Sequence, residues 1–244
     1  MIVLRRSEER HHDRHRQRDV WLTFYPDDQV DSIVHGFGNL MLVNEERLAP
    51  GADVPHHPRH AAEIINYVRE GALAYEDSTG HSGIVQSGEF QSVTMDRGVR
   101  HRETNASQTD EAQVFRIWLR PLEAGLAPGC EQKRFSAAER RDRLCPVASP
   151  NVEGGSLRIH QDALIYSALL DRGQHVVHEL LALRCAWLHL VCGKATIGDF
   201  VLTTGDGVGV TAERSVSLTA HEKTEILLVD LGPSSSVGRS DHGP

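Results

Sequence analysis

No apolar run in this chain approaches the roughly 20 residues that a membrane-spanning helix needs. Cysteine is scarce. Cys130, Cys145, Cys185 and Cys192 show no CxxC spacing, so they read as reduced thiols rather than a disulfide framework. Excess positive charge is missing too. Lys and Arg number 26 against 34 Asp and Glu, a formal net charge of −8. Phosphate binding needs concentrated Lys and Arg, so nucleic acid is not expected as a direct partner. There is no Gly-rich phosphate loop and no recognisable Ser-His-Asp arrangement. No signal peptide is expected, because Met1-Ile2-Val3-Leu4 runs straight into charges. These absences point to the cytoplasm.

What remains is ample for a packed interior. Apolar residues make up 39% of 244 residues, a length that allows one large unit or two domains of roughly 120 residues. Residues 5–19 are almost wholly polar, and the first 20 residues read as a solvated arm before Trp21. His11, His12 and His15 lie in that arm without a core to orient them. Residues 233–244 are small and polar and read as a disordered tail.

Between these ends the pattern is one of short strands and turns. Gly38 to Val43, Ile64 to Val68, Ala72 to Glu76 and Val114 to Leu119 read as strands, with Asp77-Ser78-Thr79-Gly80 as a hairpin turn. Short strands at this spacing predict a sandwich or barrel. The one good helical candidate is Ser136 to Arg143, where Ser136 and Glu139 can form a capping box. The second half repeats the first weakly. Val68-Arg69-Glu70-Gly71 corresponds to Val191-Cys192-Gly193, and Ser87-Gly88-Glu89 to Gly205-Asp206. Duplication of one β-barrel follows, with domains over 21–120 and 151–232 and a linker over 121–150.

Two clusters could carry chemistry. The first runs from Pro55 through His56, His57, Arg59 and His60 to Glu63. The second runs from Gly98 through His101 and Glu103 to Asn105. Alternate residues of a strand share a face, which pairs His57 with Arg59 and His101 with Glu103. Two imidazoles and one carboxylate on adjoining strands would form a facial triad of the kind that binds Fe(II) in oxygenases.

The cupin signature carries HxH…E…G and then G…GxxHxxxN. Here the matching residues are His57, Glu63 and Gly71, then Gly88, Gly98, His101 and Asn105. The longer stretches EIINYVREGALAYEDSTGHSGIVQSGEFQSVTMDRGVRHRE and GGSLRIHQDALIYSALLDRG resemble pirins, in particular bacterial pirin-like quercetin dioxygenases. The resemblance covers about Trp21 to Leu231. It implies an all-β chain of two packed cupin barrels, each a double-stranded β-helix or jelly roll, with a short helix in the linker. It also implies one divalent metal, Fe(II) first, held by His57, His101 and Glu103. Where the family has a fourth histidine, this chain has Arg59.

Arginine donates hydrogen bonds and cannot coordinate. Arg59 can swing away and leave three ligands, His60 can replace the lost one, or Arg59 can pair with Glu103 across a metal-free pocket. Glu63 matches the signature's acid but is expected to be structural, since the family does not use it as a ligand. In the second half, Glu179 and Leu218 fall at the positions of His57 and His101, so no ligand set is expected there. His160, His175, His178, His189 and His221 then read as surface or satisfied core residues, and Cys192 as an inert thiol.

Two functions follow from the resemblance. One is a dioxygenase that opens the central ring of a flavonol such as quercetin, with Glu103 as ligand and as base toward the flavonol hydroxyl. The other is a metal-free or metal-weak binding protein that acts on a protein partner in a redox-responsive way. Arg59 is the feature that favours the second.

Overall fold

The computed structural model describes residues 1–15, 17–24, 36–54, 62–95, 100–123 and 125–233. His57, Arg59, His60 and Gly98 lie outside these residues, as does the tail from 234.

Three strands come first: β1 (Ile2–Arg5), β2 (His11–His15) and β3 (Arg18–Leu22). The first barrel is built from β4 (Leu40–Leu48), β5 (Asp53–Val54), β6 (Ala62–Glu70) and β7 (Ala72–Asp77). It continues with β8 (Ser82–Gln86), β9 (Glu89–Met95), β10 (His101–Asn105) and β11 (Ala112–Leu119). After β12 (Gly129–Arg134) and the helix α1 (Ala137–Arg140) come β13 (Cys145–Ser149) and β14 (Leu157–Arg158). The second barrel holds β15 (Ala163–Leu170), β16 (His175–Glu179), β17 (Cys185–Cys192) and β18 (Lys194–Ile197). Its last strands are β19 (Phe200–Thr203), β20 (Gly207–Val210), β21 (Ser215–Ala220) and β22 (Thr224–Leu231).

The two barrels have the same topology. One pairs the sheet β12-β9-β6-β11-β4-β3-β2 with β5-β10-β7-β8. The other pairs β1-β20-β17-β22-β15-β13-β14 with β16-β21-β18-β19. The central orders 9-6-11-4 and 20-17-22-15 are the same order in each copy, which establishes the repeat from pairing alone. The shared glycines have a steric reason. Gly71 (φ +76°) and Gly193 (φ +100°) end equivalent strands. A Cβ on Gly71 would lie 2.6 Å from the Glu111 carbonyl oxygen, and one on Gly193 2.4 Å from that of Lys223.

Alternation along single strands builds three compartments. On β11, Phe115, Ile117 and Leu119 join the core shared by the two large sheets, together with Ile65 and Tyr67 of β6 and Leu227 and Val229 of β22. The intervening Val114, Arg116 and Trp118 belong to the first barrel's interior, where Val114 packs with Leu48, Val68 and Leu73. The second barrel's interior is apolar, filled by Leu170, Leu188, Leu190, Leu202, Leu218 and Leu228 among others.

The N-terminal segment corrects the expectation of a solvated arm over residues 1–20. Here β1 adds an edge strand to the second barrel, pairing Ile2 with Val210 and Arg5 with Gly207. The β2–β3 hairpin extends the first barrel's sheet. The arm's charge is the reason. Arg6 Nη1 donates to Asp206 Oδ2 at 2.9 Å, and Arg10 Nη2 donates to Glu45 Oε2 at 3.1 Å. Cations that composition suggests are hydrated instead neutralise buried carboxylates of both barrels. His12 stacks on Trp21 at 4.5 Å, and His15 bonds to Asp13. The linker also contributes structure, β12 joining the first sheet and β13 the second. Its helix is shorter than expected, but Ser136 and Glu139 form the capping box.

His189 of β17 is fully buried near Arg10, and neither ring nitrogen has a hydrogen-bond partner among the described residues. Burial, and then the Arg10 cation, push its pKa down to about 3. An unfolded histidine titrates near ~6.5. Between those values the unfolded chain takes up a proton that the folded chain refuses, so stability rises with pH across this window. The slope is up to ~1.4 kcal/mol per pH unit. His189→Met should flatten the pH dependence of urea unfolding between about pH 4 and 6.5. An unchanged slope would assign the acid sensitivity to other groups.

Candidate metal centre

Strand β10 pairs with β7 on one side and β5 on the other. Its alternation puts His101, Glu103 and Asn105 on the inward face, with Arg102 and Thr104 outward. Asn105 Nδ2 lies within 3.1 Å of the carbonyls of Leu48, Ala49 and Asp110, so it fastens the loops at one end of the barrel. His101 Nε2 stands 3.1 Å from Glu103 Oε1. The Tyr75 ring stacks against the His101 ring at 6.0 Å.

Behind Glu103 runs a buried polar line. Arg116 Nη1 donates to Glu103 Oε2 at 2.6 Å, and its Nε is 3.0 Å from Glu46 Oε1. Asn66 Nδ2 reaches Glu103 Oε1 at 3.2 Å and Gln91 Oε1 at 2.9 Å. Its own Oδ1 accepts from Arg116 Nη1 at 3.0 Å. Burial alone would push the Glu103 carboxyl up, but the Arg116 guanidinium and the His101 hydrogen bond override it and hold the group down to about 2. Burial would likewise strip the proton from Arg116, yet Glu103 and Glu46 keep it charged.

His101, Glu103 and Arg116 share a cavity with Val54, Ile64, Asn66, Val93, Met95 and Trp118. It leaves about 20 Å³ for a water-sized guest, enough for one small group. The donor pair passes a simple test for a metal. Two ligand atoms each about 2.1 Å from a divalent ion and at right angles to one another are about 3.0 Å apart. The observed 3.1 Å separation of an imidazole nitrogen and a carboxylate oxygen matches. Among the described residues no third histidine, cysteine or acid completes a group. His57 lies outside them.

Comparison with known proteins identifies the family. Residues 4–119 match the pirin family model, and residues 146–231 match the quercetinase C-terminal cupin domain. The chain belongs to the pirin family. This pirin is 36% identical to the quercetin 2,3-dioxygenase of Escherichia coli K12 over 96% of its own length and 100% of that protein's. It is 31% identical to a pirin-like protein of Caulobacter vibrioides, over 80% of this chain and 84% of the other. The crystal structure of YhhW from E. coli superposes with a TM-score of 0.89 over 96% of this chain and 98% of that one, at 36% identity. A nickel(II) complex of that bacterial pirin gives 0.87 over 96% and 100%, at 35% identity.

The remaining candidate residues separate cleanly in this pirin. Glu63 faces the second barrel, where Oε1 accepts from the His160 backbone N at 2.6 Å and Oε2 from that of Gln161 at 2.6 Å. It is a clasp between the barrels. His175 bonds to Thr219 and His221 to Thr196. His178 Nε2 lies 2.7 Å from Asp230 Oδ2, and Arg184 Nε donates to Asp230 Oδ1 at 2.6 Å. The sequence reading missed Arg116, Glu46, Asn66 and Gln91. One signal was available: an arginine at an inward position of VFRIWL, where the same-face residues of the strand, Val114 and Trp118, are apolar.

The ion line also sets the cost of breaking it. Orphaning a buried charge costs about 3–5 kcal/mol. In Glu103→Gln, however, Arg116 keeps Glu46, so the loss is that of one charged hydrogen bond, about 2–3 kcal/mol. Urea midpoints of chelator-treated protein at pH 7 check this. A loss below about 0.5 kcal/mol would mean that water reaches and screens the pair.

Proposed function

We propose that this pirin is a divalent-metal dioxygenase acting on flavonols such as quercetin, with Fe(II) as its metal. The observation that carries the reading is the 3.1 Å pair of His101 Nε2 and Glu103 Oε1 facing a small cavity. His57 is the proposed third ligand, with Arg59 in the fourth place. When bound, the metal supplies electron transfer between the chelating substrate and dioxygen.

The chain's own residues do the rest. Ile64, Val93, Met95 and Trp118 form an apolar wall that limits water at the donors. The small cavity takes the chelating oxygens of the flavonol and leaves its rings outside. Arg116 keeps Glu103 ionised and turned toward His101 by its second oxygen. Glu103 therefore suits ligation through Oε1 rather than the base role expected from the sequence, because a carboxylate held near 2 is a weak proton acceptor at neutral pH. The flavonol proton would then leave to solvent, its release favoured by the charge of a bound metal.

A second reading is favoured by the same arginine. Arg116 gives Glu103 a cation without any metal, as a binding or regulatory pirin with a protein partner would require. A thiolate sensor is not its natural form, since burial pushes the Cys130, Cys145 and Cys185 thiols up. Either activity belongs to the cytoplasm in this reading. Among the described residues no helix is long and apolar enough to cross a membrane.

Metal analysis after anaerobic iron loading, on untagged protein, separates the readings. About one iron per chain is expected, lost in His101→Ala, with quercetin consumption under O₂ following occupancy. Arg59→His adds an imidazole and removes a cation, so metal affinity should rise at least about tenfold, ~1.4 kcal/mol. Absence of iron from both wild type and Arg59→His would end the dioxygenase reading in favour of the second.

A further inference from the structure

We infer that Arg116 is a positioning residue that makes Glu103 a single-oxygen ligand and weakens the centre's grip on divalent cations. The inference rests on the metal reading above and extends it to residues outside the ligand set.

The geometry has two parts. First, Glu103 Oε2 is committed to Arg116 Nη1 at 2.6 Å, while Oε1 faces His101. Arg116 cannot follow a retreating carboxylate, because its Nε lies 3.0 Å from Glu46 and its Nη1 is also tied to Asn66 Oδ1. Its side chain is 2% exposed and that of Glu46 is not exposed at all, so neither can swing into solvent. Bidentate ligation by Glu103 would bring a dication against the Arg116 guanidinium that Oε2 faces, so the charge at 116 favours ligation through Oε1 alone.

Second, charge sets the affinity. Glu46, Arg116 and Glu103 together carry one net negative charge, so a dication leaves the group with one net positive charge in a buried setting. With a neutral side chain at 116, the two carboxylates would cancel the dication completely. Arg18, which touches the outer oxygen of Glu46 at 3.5 Å, adds to the positive side. Buried charge imbalance is weakly screened, so the arginine costs affinity. Glu46 acts in the opposite sense by offsetting Arg116, although it is no ligand.

Equilibrium competition of Ni²⁺ between the protein and a chromogenic chelator tests this without reference to turnover. Only binding abolished by His101→Ala is assigned to the centre, which removes any contribution of His11, His12 and His15. Arg116→Gln should bind Ni²⁺ at least about tenfold more tightly than wild type, and Glu46→Gln at least about tenfold more weakly, ~1.4 kcal/mol each way. Loss of structure alone weakens both variants, so the rise in Arg116→Gln is the reading that a merely structural arginine would not give. Should Arg116→Gln fail to fold, the fall in Glu46→Gln, with its melting temperature in hand and Glu46→Asp restoring affinity, carries the test. Wild-type binding with Arg116→Gln equal or weaker overturns this inference and leaves the metal centre standing. Absence of binding at millimolar Ni²⁺ in wild type and Arg116→Gln alike overturns both.

Discussion

A guanidinium wedged between two buried carboxylates, Glu46–Arg116–Glu103, is the constraint around which the first barrel is arranged. Such a line adds little net stability, because the attraction it gains is offset by the water it loses. Once present, though, it dictates its surroundings. Asn66 and Gln91 occupy inward positions beside it, Asn66 bonding to Arg116 and Glu103 and Gln91 accepting from Asn66. The apolar filling of the barrel is displaced to either side, toward Leu73 and Val85 at one end and Ile64 and Val93 at the other.

The second barrel repeats the topology with the opposite interior. Its interior is an apolar cluster of Leu, Val, Ile and Ala side chains. Its charges gather near the last strand, where Asp230 receives both His178 and Arg184. The two interiors are joined by a common apolar core and by polar clasps across it. Glu225 of the second barrel accepts from Arg69 of the first and from Arg140 of the linker helix, with the Tyr67 hydroxyl between them. Burial and the Glu225 charge push that phenol up, so it remains a donor. One barrel holds the buried ion line, and the other packs against its outer face.

How much of this was legible in the residues depends on distance along the chain. The strands, the capping box at Ser136 and the Gly71–Gly193 repeat are local, so turn chemistry and period-2 alternation reveal them. His101 and Glu103 were readable for the same reason: two residues apart on one strand, they must share a face. Arg116 and Glu46 were not, although Arg116 touches both Glu103 and Glu46. Their contact depends on the register of β11 against β4, in which Arg116 lies opposite Asn44 and Glu46 opposite Val114. No single strand contains that information. The N-terminal strands were misread because composition counts charges without their partners. Arg6 and Arg10 meet their acids at positions 206 and 45. Nothing near them in sequence announces either.

The placement of β1 bears on how the molecule is assembled. The strand nearest the chain's start completes an edge whose other half, β20, appears only at residues 207–210. Contacts at so great a sequence separation are slow to form, because a very long loop must close before any pairing rewards it. The first barrel has all its central strands by Leu119, whereas β1 finds its partner only in the second barrel. Closure of that edge is therefore a late step in folding, and it ties residues 2–5 to residues 207–210. A cut anywhere in the linker would still leave the two halves stitched together by this strand.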